Sequence, residues 1–191
     1  SKKFICNLQN FERPITNSDV YIGKKLMFTR IGSKLNCVYS ESNDYFDFSV
    51  YTIKLKSEHN YYLFQAILNS HVVQYYLDFY LRKRILDSYS RIGNDDILSI
   101  PIPKKIDSKL EIEISEISKN LSECKYEYTD KVHIMNELIY ELYELSYWEK
   151  QRIKDYFLPE ARIGRKRNAL AGYKNTLKEI IGFYFESPII I

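Results

Sequence analysis

Cysteine, glycine and long apolar runs are scarce in this chain of 191 residues. The three cysteines, Cys6, Cys37 and Cys124, are widely spaced and form no Cys-x-x-Cys pair, which argues against a disulfide framework or a zinc site. No apolar run is long enough to cross a bilayer, and residues 1–7 lack the apolar segment of a signal peptide. We therefore expect a cytoplasmic protein with reduced thiols and no membrane partner.

Several catalytic motifs are also missing. An N6-adenine methyltransferase grips its flipped base with a polar residue, two prolines and an aromatic residue, and this chain has no Pro-Pro. It has no Gly-x-Gly either, which excludes a dinucleotide or S-adenosylmethionine turn of that type, and no P-loop is present. These absences predict that the chain is not itself an enzyme.

Nuclease and hydrolase chemistry find little support as well. The acidic-x-Lys pattern of metal-dependent nucleases occurs at Asp107-Ser108-Lys109 and at Glu123-Cys124-Lys125, but both fall in or beside a predicted long helix. Surface charge on that helix is the better interpretation. With three histidines and no elbow motif there is no triad signal, and His71, near an apolar helical face, is expected to be a hydrogen-bonded packing residue. We predict no metal site.

Charge is distributed unevenly along the chain. Residues 106–160 hold thirteen acidic against seven basic side chains, whereas residues 1–56 hold nine basic against five acidic and residues 161–191 hold six against two. This asymmetry predicts a part that faces a polyanion and a part that faces solvent or protein.

Hydrophobic periodicity predicts strands first and helices later. From Lys25 the pattern alternates, Gly32-Ser33 supplies a two-residue turn, and residues 35–39 alternate on a returning strand. Residues 45–55 form a third strand, and the period then becomes helical over residues 60–80. Asn69-Ser70 is a candidate break between two helices.

The hydrophobic pattern changes in the C-terminal half of the chain. A loop over residues 87–96 leads to a short apolar edge strand at 97–102, bounded by prolines. Residues 110–145 step by three or four, as in one long amphipathic helix or two in a hairpin. Ser146-Tyr147-Trp148-Glu149 then fits a capping box that starts a helix through about Phe157.

The predicted fold is therefore α+β: a small mixed β-sheet with a packed helix, followed by a long amphipathic helical hairpin or bundle. We divide the chain into an α+β domain at 1–105, a helical spacer or packing region at 106–160 and a basic C-terminal tail at 161–191.

Three groups of side chains could serve a DNA reader, which needs cations for phosphates and amide, guanidinium or hydroxyl groups for base edges. The groups are the hairpin (Lys24, Lys25, Arg30, Lys34, Asn36), a helix end (Arg82, Lys83, Arg84) and a loop (Tyr89, Ser90, Arg91, Asn94). Each also has an ordinary explanation, as a solvated hairpin, cations that complement a helix dipole, or a connecting loop. Their co-occurrence favours DNA binding, provided that they converge on one surface.

The order of these segments resembles a known family. Arg30-Ile31-Gly32, a returning strand at 35–39, Val50-Tyr51-Thr52-Ile53, a helix at 64–70 ending in Leu68-Asn69-Ser70, and a closing segment at 98–103 together resemble the TaqI-like C-terminal specificity domain of type IIG restriction–modification enzymes and N6-adenine DNA methyltransferases. The similarity covers about residues 20–105. The basic tail has no counterpart in it.

The resemblance implies that the chain recognises double-stranded DNA for a bacterial restriction–modification enzyme. Methyltransferase and endonuclease domains would then lie N-terminal to residue 1 as protein partners and would use S-adenosylmethionine and Mg²⁺, with no cofactor in this chain. Two alternatives stay open: a fragment of the specificity subunit of a type I restriction system, and a helical protein–protein interaction module that does not bind DNA.

Overall fold

The structure, a computed structural model, describes residues 18–32, 34–43, 45–46, 49–56, 59–79, 90–123, 129–158 and 189–190. Its strands are β1 (Lys25–Thr29), β2 (Ile31–Gly32), β3 (Cys37–Ser40), β4 (Val50–Leu55), β5 (Ser90–Arg91) and β6 (Ile189–Ile190). Its helices are α1 (Tyr61–Asn69), α2 (His71–Phe79), α3 (Asn94–Leu98), α4 (Ser108–Glu123), α5 (Thr129–Leu142) and α6 (Tyr147–Phe157), preceded by a 3₁₀ turn at Ser18–Tyr21. The predicted α+β class is confirmed.

The main sheet has the strand order β3-β1-β4-β6. Leu26 of β1 pairs with Tyr39 on one side and with Ile53 on the other, so β1 is central. Leu26 and Phe28 are buried while Thr29 is exposed, as the alternation predicted. All described strand pairs are antiparallel, so the expectation of a mixed sheet was wrong.

The predicted hairpin is confirmed in its pairing, because β1 and β3 pair from Lys25 with Ser40 to Phe28 with Cys37. Ser33 lies outside the described residues, so the two-residue turn at Gly32-Ser33 stays a prediction, and the described residues between Phe28 and Cys37 do not continue this ladder. Instead, β2 pairs with the distant β5 and forms a second, two-stranded ladder. Local turn rules cannot predict a strand partner that lies about sixty residues away in the sequence.

The predicted break between two helices is confirmed at Ser70. Asn60 caps α1 through its side-chain oxygen, which accepts from the backbone N–H groups of Tyr62 and Leu63 at 3.0 and 3.4 Å. Ser70 adopts an extended ψ of 159°, and its hydroxyl then accepts from the Val73 N–H at 3.3 Å. The extended backbone of Ser70 thus ends one helix, and its hydroxyl caps the start of the next.

The predicted edge strand at 97–102 is instead a short helix followed by extended chain. The Asp96 carboxylate accepts a hydrogen bond from the Gly93 N–H at 2.7 Å, which stabilises the first turn of α3. Ile97, Ile100 and Ile102 are all buried, so the apolar spacing reflects core packing. The aspartates stabilise the start of a helix here, although the apolar run alone favours a strand.

The helical half packs against α1 and α2. A long separate hairpin is not confirmed, because α4 contacts both α1 and α5 while α6 contacts α2. Ile114, Met135 and Ile153 belong to the same buried cluster as Leu63 and Ile67. The division into domains stays a prediction, but the described residues on both sides of residue 105 share one core.

The start of α6 agrees with the predicted capping box: Glu149 accepts from the Ser146 N–H at 2.7 Å and from its hydroxyl at 2.6 Å. Of the predicted basic tail, only Ile189–Ile190 lie among the described residues. None of the described helices combines the length and the apolar character needed to span a membrane.

Candidate nucleic-acid interface

The second ladder brings two of the three predicted DNA-binding groups together. Ile31 pairs with Arg91 and Gly32 with Ser90, and the Ile92 N–H donates to the Arg30 carbonyl at 3.0 Å. We call the described residues of 30–36 and 90–94 the tip surface. Segments about sixty positions apart in sequence are therefore joined through their backbones at the end of the hairpin.

Arg30 lies at the root of this surface. Its guanidinium carbon is 5.5 Å from the centre of the Tyr51 ring, a cation–π distance. The backbone N–H of Arg30 donates to the Ser49 carbonyl at 2.8 Å. Tyr51 in turn meets Phe28 edge-on at 5.7 Å between ring centres. The arginine is half-buried and its direction is set by packed rings.

Lys34 and Asn36 are the outward residues of the returning segment. Both are exposed, whereas their neighbours Leu35 and Cys37 are each 3 % exposed. Because side chains alternate along an extended chain, burying Leu35 and Cys37 forces Lys34 and Asn36 outward. A cation and an amide are thereby presented side by side to solvent.

The outer edge of β3 is covered by side-chain amides of α1 and α2. Their oxygens accept from alternate backbone N–H groups: Gln74 from Leu35 at 3.1 Å, Asn69 from Cys37 at 2.7 Å, and Gln65 from Tyr39 at 3.0 Å. The Asn69 amide also donates to the Cys37 carbonyl at 2.7 Å. The helices thus take the place of a further strand and protect the edge.

Sequence reasoning did not find these amides. Their signal was polar side chains on an otherwise apolar helical face, since Gln65 and Gln74 are 6 % and 8 % exposed. Gln65 and Asn69, four residues apart, share a helix face and meet positions two residues apart on the strand. The Asn69-Ser70 pair was read only as a helix break.

Lys25 does not fit its predicted role. It is fully buried, and its ammonium donates to the carbonyls of Tyr21, Gly23 and Ser42. An ammonium with three donors thus occupied inside the protein is not presented to phosphate. The prediction is corrected: Lys25 holds the base of the hairpin together.

Lys24 and Asn94 are exposed, as a DNA-contacting role requires. Lys24 lies 3.9 Å from Glu41 in an ion pair whose two side chains are both mostly solvent-accessible. Asn94 is the first residue of α3, and two residues separate it from the ladder strand β5. Their part in binding stays a prediction.

The remaining candidates are only partly described. For Ser90 and Arg91 the backbone pairing is known, whereas Arg82, Lys83, Arg84 and Tyr89 lie outside the described residues. The convergence of the cationic helix end with the tip surface therefore stays a prediction.

Beneath the tip surface, His71 packs as expected. Its ring stacks on Phe157 at 4.1 Å, and its backbone N–H donates to Asn136 at 2.8 Å. Burial, and next the positive charges of Lys34 and His133, lower the pKa of His71 to about 4. The imidazole is thus neutral near pH 7. Among the described side chains, no group of three or more His, Cys, Asp or Glu is placed to hold a metal ion.

The N-terminal half of the chain matches a known protein family. A sequence model described as the TaqI-like C-terminal specificity domain matches residues 2–102, more than half of the chain. The match contains the hairpin, α1, α2 and the tip surface, while α4, α5 and α6 lie beyond it. No curated protein matches the chain.

Proposed function

This chain belongs to the family of TaqI-like C-terminal specificity domains, and we propose that it is the target-recognition part of a type IIG restriction–modification enzyme. Domains of this family recognise the DNA target of restriction–modification enzymes. In the proposal the parent protein is a bacterial adenine methyltransferase and endonuclease that acts in the cytoplasm. The present chain selects the site, and the chemistry occurs in other domains, which would use S-adenosylmethionine and Mg²⁺.

The observation that carries the proposal is the β2–β5 ladder. A reader must hold several base- and phosphate-contacting groups in fixed relative positions, since specificity depends on their joint fit to one groove. Pairing of Ile31 with Arg91 fixes residues 30–36 against residues 90–94 through backbone hydrogen bonds. The proposed binding face is therefore built on paired strands.

Each polar group assigned to the proposed binding face has a task that suits its chemistry. Lys34 supplies a flexible point charge for a phosphate. Asn36 offers an amide donor and acceptor on one plane, which matches N6 and N7 of adenine in the major groove. Arg30, oriented by Tyr51, and Arg91 are assigned to phosphate or to guanine. Asn94 belongs to the same surface, and Lys24 would extend the face toward the base of the hairpin.

The helical half is assigned to protein contacts. Tyr147 and Trp148 at the start of α6 are 69 % and 77 % exposed and meet edge-on at 5.2 Å between ring centres. Exposed Trp and Tyr side chains are typical anchors of protein interfaces. Nearby Glu141 and Glu144 are exposed and disfavour phosphate. We expect the methyltransferase and nuclease domains to pack on this side.

The test is salt-dependent binding of the chain to random-sequence duplex DNA, followed by matched lysine substitutions. A phosphate contact adds about 0.9 to the slope of log affinity against log salt. Lys34→Ala should therefore weaken binding and reduce that slope by about 1. Arg91→Ala should also weaken binding. Lys119→Ala makes the same charge change on the exposed, acidic face of α4 and should leave the slope unchanged.

The outcomes separate the alternatives. Equal losses from Lys34→Ala and Lys119→Ala would mean that general charge, and no defined face, governs binding. A chain that binds no duplex at low salt would reject the reader and favour the helical interaction module.

A further inference from the structure

A chain of three hydrogen bonds, two of them buried and one part-buried, connects α6 to the tip surface. The Tyr156 hydroxyl donates to Asp78 at 2.9 Å, and the Gln74 amide donates to the other oxygen of Asp78 at 2.8 Å. The Gln74 oxygen then accepts from the backbone N–H of Leu35 at 3.1 Å. Asp78 and Gln74 are 7 % and 8 % exposed, so water competes little for these bonds.

The donors and acceptors run in one direction along this chain. Both oxygens of Asp78 accept, one from the Tyr156 hydroxyl and the other from the NH₂ group of Gln74. The amide oxygen of Gln74 is thereby turned toward Leu35, where an N–H needs an acceptor. Asp78, itself held by Tyr156, thus selects the amide orientation that Leu35 requires.

Leu35 is a sensitive place for such an anchor. The β1–β3 pairing ends at Phe28 with Cys37, so Leu35 lies beyond the last strand pair. Its neighbours are Lys34 and Asn36, the outward groups assigned to DNA. The bond to Gln74 and the burial of the Leu35 side chain fix where those two groups point.

We propose that Tyr156, Asp78 and Gln74 are positioning residues for target reading, so that α6, which lies outside the family match, is a functional part of the reader. The proposal rests on the proposed function, because it assumes that Lys34 and Asn36 contact DNA. It predicts that breaking the chain blurs sequence discrimination while leaving general attraction to phosphate intact. Charge is unchanged by the substitutions that test it.

The central experiment compares two tyrosine-to-phenylalanine variants. The wild-type chain first selects its preferred sequence from a random duplex library, and affinity is then measured for that duplex and for a scrambled one. Tyr156→Phe should reduce the affinity ratio about tenfold, a loss of about 1.4 kcal/mol in discrimination. Its salt slope on scrambled duplex should match wild type.

Tyr143→Phe is the matched control. The Tyr143 hydroxyl also makes a part-buried hydrogen bond, to the Pro101 carbonyl at 2.8 Å, and Pro101 lies outside the tip surface. Tyr143→Phe should lower stability about as much as Tyr156→Phe does and should keep the wild-type affinity ratio. An equal fall in the ratio for both variants would overturn the proposal, because it would trace the effect to general loosening.

Gln74→Leu adds a second break in the same chain. Combined with Tyr156→Phe it should reduce discrimination no further than Gln74→Leu alone, since one pathway is interrupted twice. If Gln74→Leu does not fold, hydrogen exchange at the Leu35 amide decides: exchange should be faster in Tyr156→Phe than in Tyr143→Phe, and equal rates would overturn the proposal. A wild-type library selection without any enriched sequence would instead reject the proposed function itself.

Discussion

The two ends of the β1–β3 hairpin use lysine in opposite ways. At the base, Lys25 is fully buried and its ammonium binds three backbone carbonyls. At the tip, Lys34 is exposed beside Asn36 and next to buried Leu35. At the base the charge of Lys25 stabilises the fold, whereas at the tip the charge of Lys34 faces solvent. A basic residue in a predicted DNA-binding hairpin is therefore not evidence of DNA contact until its surroundings are known.

The backbone at the base explains the difference. Gly23 has a φ of +69°, a left-handed conformation, and its N–H donates to the Asn43 side chain at 3.0 Å. This turn gathers carbonyls that no strand partner satisfies, and Lys25 supplies the missing donors. At the tip the backbone groups of Leu35 and Cys37 are N–H donors, which need acceptors, and the amide oxygens of α1 and α2 supply them.

The largest expected effect is from Lys25→Met. The substitution keeps most of the buried volume but leaves three carbonyls without their charged donor, which should cost about 3 kcal/mol of unfolding free energy. Urea denaturation measures this loss. The salt slope of DNA binding, measured where the variant is fully folded, should be that of wild type.

A contrary result would remove the contrast between the ends of the hairpin. If Lys25→Met were as stable as wild type and lost one unit of salt slope, Lys25 would be a phosphate contact that DNA draws outward. Lys34→Ala supplies the reciprocal comparison, since an exposed side chain should change unfolding free energy by no more than about 0.5 kcal/mol.

Local patterns predicted much of this architecture. Alternation placed Leu26 and Phe28 in the core, the Asn69-Ser70 pair marked the helix break, and Ser146 with Glu149 marked the start of α6. In each case the deciding interactions lie within a few residues of one another. Interactions between residues that are close in the sequence can therefore be predicted from it.

The features that were missed depend on distant partners. Nothing near Ile31 indicates that its strand partner is Arg91, and nothing near Lys25 indicates three carbonyls around it. The apolar run that resembled a strand at 97–102 was a helix and extended chain because Asp96 stabilises a helical turn there. Of the candidate site, Lys34, Asn36 and Asn94 are exposed and their part in DNA binding stays a prediction, while the side chains that support them were not foreseen.

A smaller expected effect is the contribution of His71, which packs beneath the tip surface, to the pH dependence of stability. The pKa of His71 is lowered to about 4, so between its ordinary value of 6.5 and about 4 the unfolded chain binds more protons than the folded one. Stability should be full above about pH 6.5 and fall as the pH decreases toward 4. Because the ring is partly reached by solvent, we expect a loss of about 1 kcal/mol.

Urea denaturation of wild type and His71→Phe at several pH values between 7 and 4 measures this contribution. Phenylalanine keeps a ring against Phe157 but cannot titrate, so its stability should depend less on pH in that interval. Parallel pH curves for the two proteins would show that His71 does not contribute, and that the acid sensitivity lies in other groups.

The smallest effect, Lys24→Ala, decides how far the DNA-binding face extends toward the base. Its ion pair with Glu41 is exposed and 3.9 Å long, so the stability change should be below about 0.5 kcal/mol. Binding is the informative measurement. A salt slope reduced by about 1 would place phosphate along the whole hairpin, whereas an unchanged slope beside a reduced one for Lys34→Ala would confine contact to the tip. The second result would make the two ends of the hairpin separate in function as well as in structure.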